Sequence, residues 1–155
     1  MTAALRLVAN QPLDVGPLGE MLADAEDLKL VWPDAIVPFD AEQWRTRLSD
    51  HPEHVSFWVE ATGERVGHVA LLATEEMGVW AASYIYLAPS VRGRGLAADL
   101  MTAIEGEARN RGGSAMRLRV RSYNPRAIAV YTRAGYAPAA RDGTLIIMRK
   151  PIASN

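Results

Sequence analysis

The 155-residue sequence predicts a single α/β or α+β domain. Three observations carry that prediction. Strand-like and helix-like hydrophobic patterns alternate along the chain, no repeat or low-complexity linker interrupts them, and a Gly-rich turn joins an apolar strand pattern to a long amphipathic helix pattern. A length of 155 residues suits one compact domain with its own core, and 49% hydrophobic with 23% charged residues is ordinary for a globular chain.

"LRLVAN" reads as a short first strand. Asp14 then caps a predicted helix running to about Asp27, with Leu18, Met21, Leu22 and Ala25 at helical spacing. "VWPDAIVPFD" holds two prolines and two aromatics and reads as an apolar loop, after which Asp40 caps a second helix through Trp44 and Leu48. "VSFWVEATGERVGHVALLA" reads as two strands joined at "TGE", and "VWAASYIYLAP" as a third that stops at Pro89. A helix from about Gly95 to Asn110 follows, with Leu96, Leu100, Ile104 and Ala108 on one face and Gly112 near its end. "AMRLRVRS" alternates like a strand, and "NPRAIAVYTRAG" is a short helix with Pro125 in its first turn. "YAPAARDGTLIIMRKP" closes the domain as a hairpin about Asp142-Gly143, and residues 151–155 read as a loose tail. Strand, crossover helix and strand make a parallel pair, beyond whose carboxyl ends ligands sit.

The formal net charge of −1 argues against a nucleic-acid binder. Its distribution is uneven: Met1–Ser90 carries five basic and fourteen acidic residues, whereas Val91–Arg133 carries nine arginines and three acids. This run begins at "VRGRGLA", where a helix start leaves backbone N–H groups unpartnered at the positive end of its dipole. A polyphosphate ligand explains both features together. The chain has no cysteine, which excludes a thiolate nucleophile and thiolate-bound zinc, and its three histidines are badly placed for a metal site. No apolar run reaches the length of a membrane span and no signal-peptide core precedes the first strand, so the expected location is the cytoplasm, with no membrane partner.

"YLAPSVRGRGLAADLM", followed about thirty residues on by "SYNPRAIAVYTRAGY", resembles the GNAT superfamily of N-acyltransferases. Arg92, Gly95 and Ala97 fill the first signature of that family, and Asn124, Tyr131, Gly135 and Tyr136 fill the second. The resemblance implies a mixed, mostly antiparallel sheet with a central splayed parallel strand pair and helices on both faces. Residues 79–136 would bind acetyl-CoA, and residues 1–55, where the likeness is weakest, would shape the acceptor side. It further implies that Arg92, Gly93, Arg94, Gly95, Leu96, Ala97 and Ala98 cradle the pyrophosphate, chiefly through backbone N–H groups, and that pantetheine pairs with the strand at Ile85, Tyr86 and Leu87. Asn124 and Arg126 would orient the cofactor, although Asn124 equally suits an N-cap before Pro125.

Acyl transfer from a thioester to an amine needs a neutral amine, a polarised carbonyl and a protonated leaving sulfur. The backbone N–H of Leu87 is the candidate oxyanion donor, and Tyr131 matches the family's general acid. The general base is where the sequence departs from its relatives. Ala81 stands where many carry a Glu, and Arg119 where the ribosomal N-terminal acetyltransferases carry another. Deprotonation then falls to ordered water, to Glu60, Glu75, Glu76 or His68, or to an acceptor whose amine has a low pKa. Arg119 or Arg121, if not simply solvent-facing, binds an acceptor carboxylate, and Trp32 and Phe39 belong to an aromatic cluster on the acceptor side. The reading is transfer from acetyl-CoA to a primary amine of a small molecule, amino acid or peptide by direct attack, since no cysteine can carry the acyl group. A catalytically silent CoA-binding module is the alternative. The expected state is a monomer or homodimer, with "TLIIM" available for pairing across an interface.

Overall fold

Strands rich in β-branched and aromatic residues assemble into one seven-stranded sheet in the computed structural model, which describes residues 5–152. In chain order the elements are β1 (Leu5–Ala9), α1 (Gly16–Met21), α2 (Ala25–Val31), α3 (Ala41–Ser49), β2 (Val55–Ala61), β3 (Glu64–Ala73) and β4 (Val79–Leu87). They continue with α4 (Leu96–Asn110), β5 (Ala115–Arg121), α5 (Pro125–Arg133), β6 (Ala137–Asp142) and β7 (Leu145–Pro151). The strand order is β1-β2-β3-β4-β5-β7-β6, and β4–β5 is its one parallel pair. The mixed, mostly antiparallel sheet with helices on both faces is as the family resemblance implies.

Two cores lie on opposite faces. On one, Leu18, Leu22, Leu28, Trp44 and Leu48 of the α1–α3 region pack on Trp58, Ala70, Leu72 and Tyr86. On the other, the α4 stripe Leu96, Leu100, Ile104 and Ala108, four residues apart on one helix face, packs on Val59, Val69, Leu71, Met116 and Leu118, with α5 beside it through Ile128 and Tyr131. Covered on both faces, β3 is buried without a break from Val66 to Leu72.

The single helix expected from Asp14 to Asp27 is two. Asp24 Oδ1 accepts from Asp27 N at 3.0 Å and starts α2, so the chain breaks after Met21; Asp14 instead accepts from Gly16 N at 2.9 Å, and Val15 holds the N-cap position of α1. A second cap inside a helical pattern satisfies an orphan N–H locally and allows the redirection. Asp40 caps α3 as expected, bonding Gln43 N at 2.9 Å. The last hairpin turns on Gly143-Thr144, one residue later than the sequence suggested, because Asp142 still pairs with Leu145. β7 lies between β5 and β6, so "TLIIM" is no free edge; β1 and β6 are the edges. The supposed tail is anchored at its start: Pro151 ends β7, and buried Ile152 donates its N–H to Ser114 O at 3.0 Å. Residues 153–155 lie outside the described residues.

Candidate active site

β4 and β5 run together only at Val79↔Ala115, Trp80↔Met116 and Ala81↔Arg117, then separate. A β-bulge on β4 accompanies the split: His68 pairs with Tyr86 and Ala70 with Ser83, so Tyr84 and Ile85 together oppose Val69. Tyr84 has φ +53°, a left-handed conformation that costs a non-glycine residue about 1–3 kcal/mol. Next to the bulge the strands approach so closely that a Cβ on Gly67 would stand 2.1 Å from Tyr86 O, which only glycine permits. Ala88 N donates to Val66 O at 2.7 Å, and the antiparallel alternation therefore turns the Leu87 N–H away from β3 and toward the gap.

The gap opens into a cleft of about 210 Å³. One wall is Ala81–Ile85, the other Arg117–Arg121, with Asn124 and Tyr131 from α5 and Trp32 from the loop after α2. Tyr131 is partly buried beside Tyr136, at 6.3 Å between ring centroids, and burial pushes its phenol up to about 12, so it stays protonated at neutral pH. Asn124 Oδ1 caps α5 by accepting from Ala127 N at 3.3 Å, which leaves its Nδ2 free to donate into the cleft. Arg126 is exposed one residue beyond the start of α5.

At the carboxyl end of β4 a single 3₁₀ turn, Pro89–Val91, leads to Gly93 and Gly95, both at φ +77° with open space where a Cβ would be. Gly95 is the N-cap of α4 and supplies no side-chain cap, and the helix's hydrogen bonds begin with Asp99 N to Gly95 O at 3.4 Å. The N–H groups of Leu96, Ala97 and Ala98 are therefore orphaned at the helix's positive end. This bare cradle fits a phosphate. Leu96 anchors it through a buried side chain, and Arg94 is exposed beside it.

Arg92 departs from the expectation of a phosphate ligand. Its guanidinium turns back, donating from Nε to Leu87 O at 2.7 Å, standing over the Tyr86 ring and reaching Asp27 at 3.9 Å. It ties the strand end to α2. Tyr86 is correspondingly buried under it, while Ile85 lines the cleft and the Leu87 carbonyl is already taken. Nor is the arginine run one patch: Arg109 and Arg111 sit at the far end of α4, about 20 Å from Leu96 at the helical rise per residue.

On β5, Arg117 forms a two-fold bond to Glu75 at 2.8 and 3.0 Å, and Arg149 of β7 holds Glu76 at 2.9 Å. Hydrogen bonds from Arg117 hold the Glu75 carboxyl down to about 2. Glu60 pairs with Arg6 at 3.2 Å, and His68 is fully buried with both ring nitrogens bonded. None of the four base candidates faces the cleft. Arg119 and Arg121 do line it, and neither has an acidic partner among the described residues; Arg121 bonds Thr144 at 3.2 Å and its Nε is buried without a partner. Trp32 meets Tyr84 at 5.2 Å and Trp44 at 4.9 Å on the cleft wall. Phe39 does not reach it: the ring stacks on Trp44 at 5.7 Å and covers Gly19, packing the helices instead.

Three charged lining residues outside β5 escaped sequence reasoning: Asp34, Arg47 and Lys29. Asp34 is the sole carboxylate among the described lining residues, and its side chain makes no hydrogen bond there. It lies in the two-proline segment, which has no period to betray a side chain's direction. No helix among the described residues is long and apolar enough to cross a membrane, and they contain no metal-binding cluster of His, Cys, Asp and Glu.

The sequence model of the acetyltransferase (GNAT) family matches residues 20–136. The chain belongs to that family. The GNAT fold is equally evident in solved structures. The GNAT domain of S. lividans PAT superposes with a TM-score of 0.77 at 19% identity, covering 98% of this chain and 92% of that one. Spermidine N-acetyltransferase from Vibrio cholerae, in complex with CoA and spermine, gives 0.77 at 18% identity over 95% of both chains. AAC(6')-Ib, in complex with ribostamycin and coenzyme A, gives 0.79 at 21% identity over 97% of this chain and 94% of that one. None of the curated proteins matches the sequence of this GNAT protein.

Proposed function

We propose that this protein transfers an acetyl group from acetyl-CoA to the primary amine of a small molecule or peptide that carries a carboxylate. The observation that carries the reading is the unpaired β4 edge facing Tyr131 across the cleft, with the bare α4 N-terminus at its end. The residues present fit CoA: Gly93–Ala98 offer N–H groups to the pyrophosphate, Ile85–Leu87 a strand edge to pantetheine, and Asn124 and Arg126 donors from α5. Bound acetyl-CoA supplies an electrophilic thioester carbonyl. The Leu87 N–H stabilises the negative charge that develops on its oxygen, the new C–N bond forms as the C–S bond breaks, and Tyr131 gives its proton to the departing sulfur. Asp34, directly or through water, takes the amine proton.

The acceptor's charge follows from the cleft wall. Lys29, Arg47, Arg117, Arg119 and Arg121 face one carboxylate, Asp34, and only Arg47 and Arg117 have acidic partners, Asp50 and Glu75. A polyamine such as the spermine bound to the Vibrio cholerae enzyme would be repelled. An amino acid or acidic peptide would be held by Arg119 and Arg121 beside Trp32. Calorimetric titration with acetyl-CoA, CoA, ATP and NAD tests the donor site, and release of free CoA thiol across amino acids, short peptides, spermidine and kanamycin tests the acceptor. Binding confined to the two CoA ligands with turnover of carboxylate-bearing amines is expected. CoA binding without turnover of any amine would leave a silent CoA-binding module, and no CoA binding by the folded protein would end both readings.

A further inference from the structure

Asn10, Ser56 and His68 are buried polar side chains, 4%, 5% and 0% exposed, that the acetyl-transfer reading leaves without a part. His68 Nδ1 lies 2.9 Å from Tyr84 O, and Nε2 lies 2.7 Å from Ser56 Oγ. A carbonyl only accepts, so Nδ1 carries the proton and Nε2 accepts from the Ser56 hydroxyl. Ser56 Oγ in turn accepts from Asn10 Nδ2 at 3.2 Å. The same Nδ2 donates to Asp14 O at 3.0 Å, and Asn10 Oδ1 accepts from Asp14 N at 3.1 Å. Each group has one consistent direction. The chain of bonds starts at the loop that launches α1 and ends at the bulge.

The bulge needs such a hold. A bulged residue leaves the strand ladder, so the Tyr84 carbonyl relies on a partner from elsewhere, and Tyr84 is the one non-glycine residue inside a described strand with positive φ. Its ring is held from the other side, packed on Trp32 and Trp44 with its hydroxyl accepting from Arg47 Nε at 2.8 Å. The bulge is where β4 swings from β5 and frees the edge at Ile85–Leu87.

We propose that His68 is a positioning residue: the Asn10–Ser56–His68 chain holds Tyr84 in its bulge, and through it the main chain of Ile85–Leu87 in register for the thioester. This rests on the acetyl-transfer reading, but His68 itself is fully buried and does not line the cleft.

The test compares wild type with His68→Leu, which removes the donor, and His68→Asn, whose amide can replace Nδ1–H. Amide hydrogen exchange of the segment 84–87 is followed by mass spectrometry without ligand, CoA affinity by calorimetry, and kcat and KM by thiol release. In the Leu variant, exchange at 84–87 should quicken and kcat fall by about tenfold or more, with a smaller loss of CoA affinity because the pantetheine edge at 85–87 is loosened while the α4 cradle is untouched. The Asn variant should recover most of both. Unchanged exchange and kcat in a folded Leu variant overturn the proposal, and so does an Asn variant no better than Leu, which would mean packing alone. If His68→Leu fails to fold, Ser56→Ala, which leaves Nε2 without its donor, must show the same pattern in milder form; wild-type behaviour there overturns the proposal equally. A wild-type protein that binds CoA without turnover refutes the acetyl-transfer reading, while the exchange comparison still decides the hold on the bulge.

Discussion

Tyr131 and His68 are both shifted by burial, in opposite directions and with opposite consequences. Burial raises the Tyr131 phenol to about 12, so it stays protonated at neutral pH; Tyr131→Phe, which removes the proposed general acid, should lower kcat by about 100-fold with donor KM nearly unchanged, measured by thiol release. Burial lowers His68 from 6.5 to about 4. Between those values the unfolded chain binds a proton that the folded chain refuses, so the stability is whole above pH 6.5 and drains as pH falls toward 4, by on the order of 3 kcal/mol. Urea unfolding at pH 7 and pH 4.5 should show that loss in wild type and a smaller one in His68→Asn; equal losses would remove His68 as its source. Arg119→Ala and Arg121→Ala should each raise acceptor KM by about tenfold for a carboxylate-bearing amine and little for its amide. Asp34→Asn should lower kcat most at low pH, where free amine is scarce, and an unchanged profile would hand deprotonation to water.

The element on which the proposed donor site most depends is the start of α4. Its glycines were legible in the sequence because a positive φ and a missing side-chain cap are local properties, and "VRGRGLA" carries both in seven residues. Ala97→Glu tests the cradle without straining either glycine: an acid in the first turn suits the helix dipole, so melting temperature should hold or rise slightly while CoA affinity falls by about tenfold or more. The break between α1 and α2 was not legible, because the pattern Leu18, Met21, Leu22, Ala25 continues across it and only the competing cap of Asp24 interrupts the helix. Arg92 is expected from the sequence in the phosphate cradle, whereas its guanidinium bonds the Leu87 carbonyl. Arginine at a helix start is ambiguous until the neighbouring carbonyl of Leu87 is located.

Across the whole molecule, the sheet is stitched together by antiparallel ladders except along the β4–β5 split, where a bound ligand would supply the missing edge. Ligand binding should therefore stabilise the fold as a unit: CoA at about 100 times its Kd adds roughly 2.7 kcal/mol, or about 5–10 °C in melting temperature for a chain of this size. Hydrogen exchange should slow most at 82–87 on CoA addition, beyond the smaller slowing that the added global stability brings to β1 and β2. Slowing at 82–87 no greater than in β1 and β2 would place the ligand elsewhere. The two bidentate clasps, Arg117–Glu75 and Arg149–Glu76, fasten the β3–β4 loop over β5 and β7 and keep both acids from the chemistry.

Periodicity, caps and turn residues act within a few positions, so the sequence by itself determined the seven strands in chain order, the helices α3 to α5, the glycine turn before α4, the α5 start at Asn124 and the family likeness that spans them. Only the tertiary structure decided which of the nine arginines are free, that Phe39 is packing while Asp34 faces the cleft, and that His68 holds a bulge rather than taking a proton. Those outcomes depend on partners far apart in the chain: Glu75 reaches Arg117 across 42 positions, and His68 meets Tyr84 across 16. A side chain's chemical role is set by the group that meets it, and register and packing bring that group there.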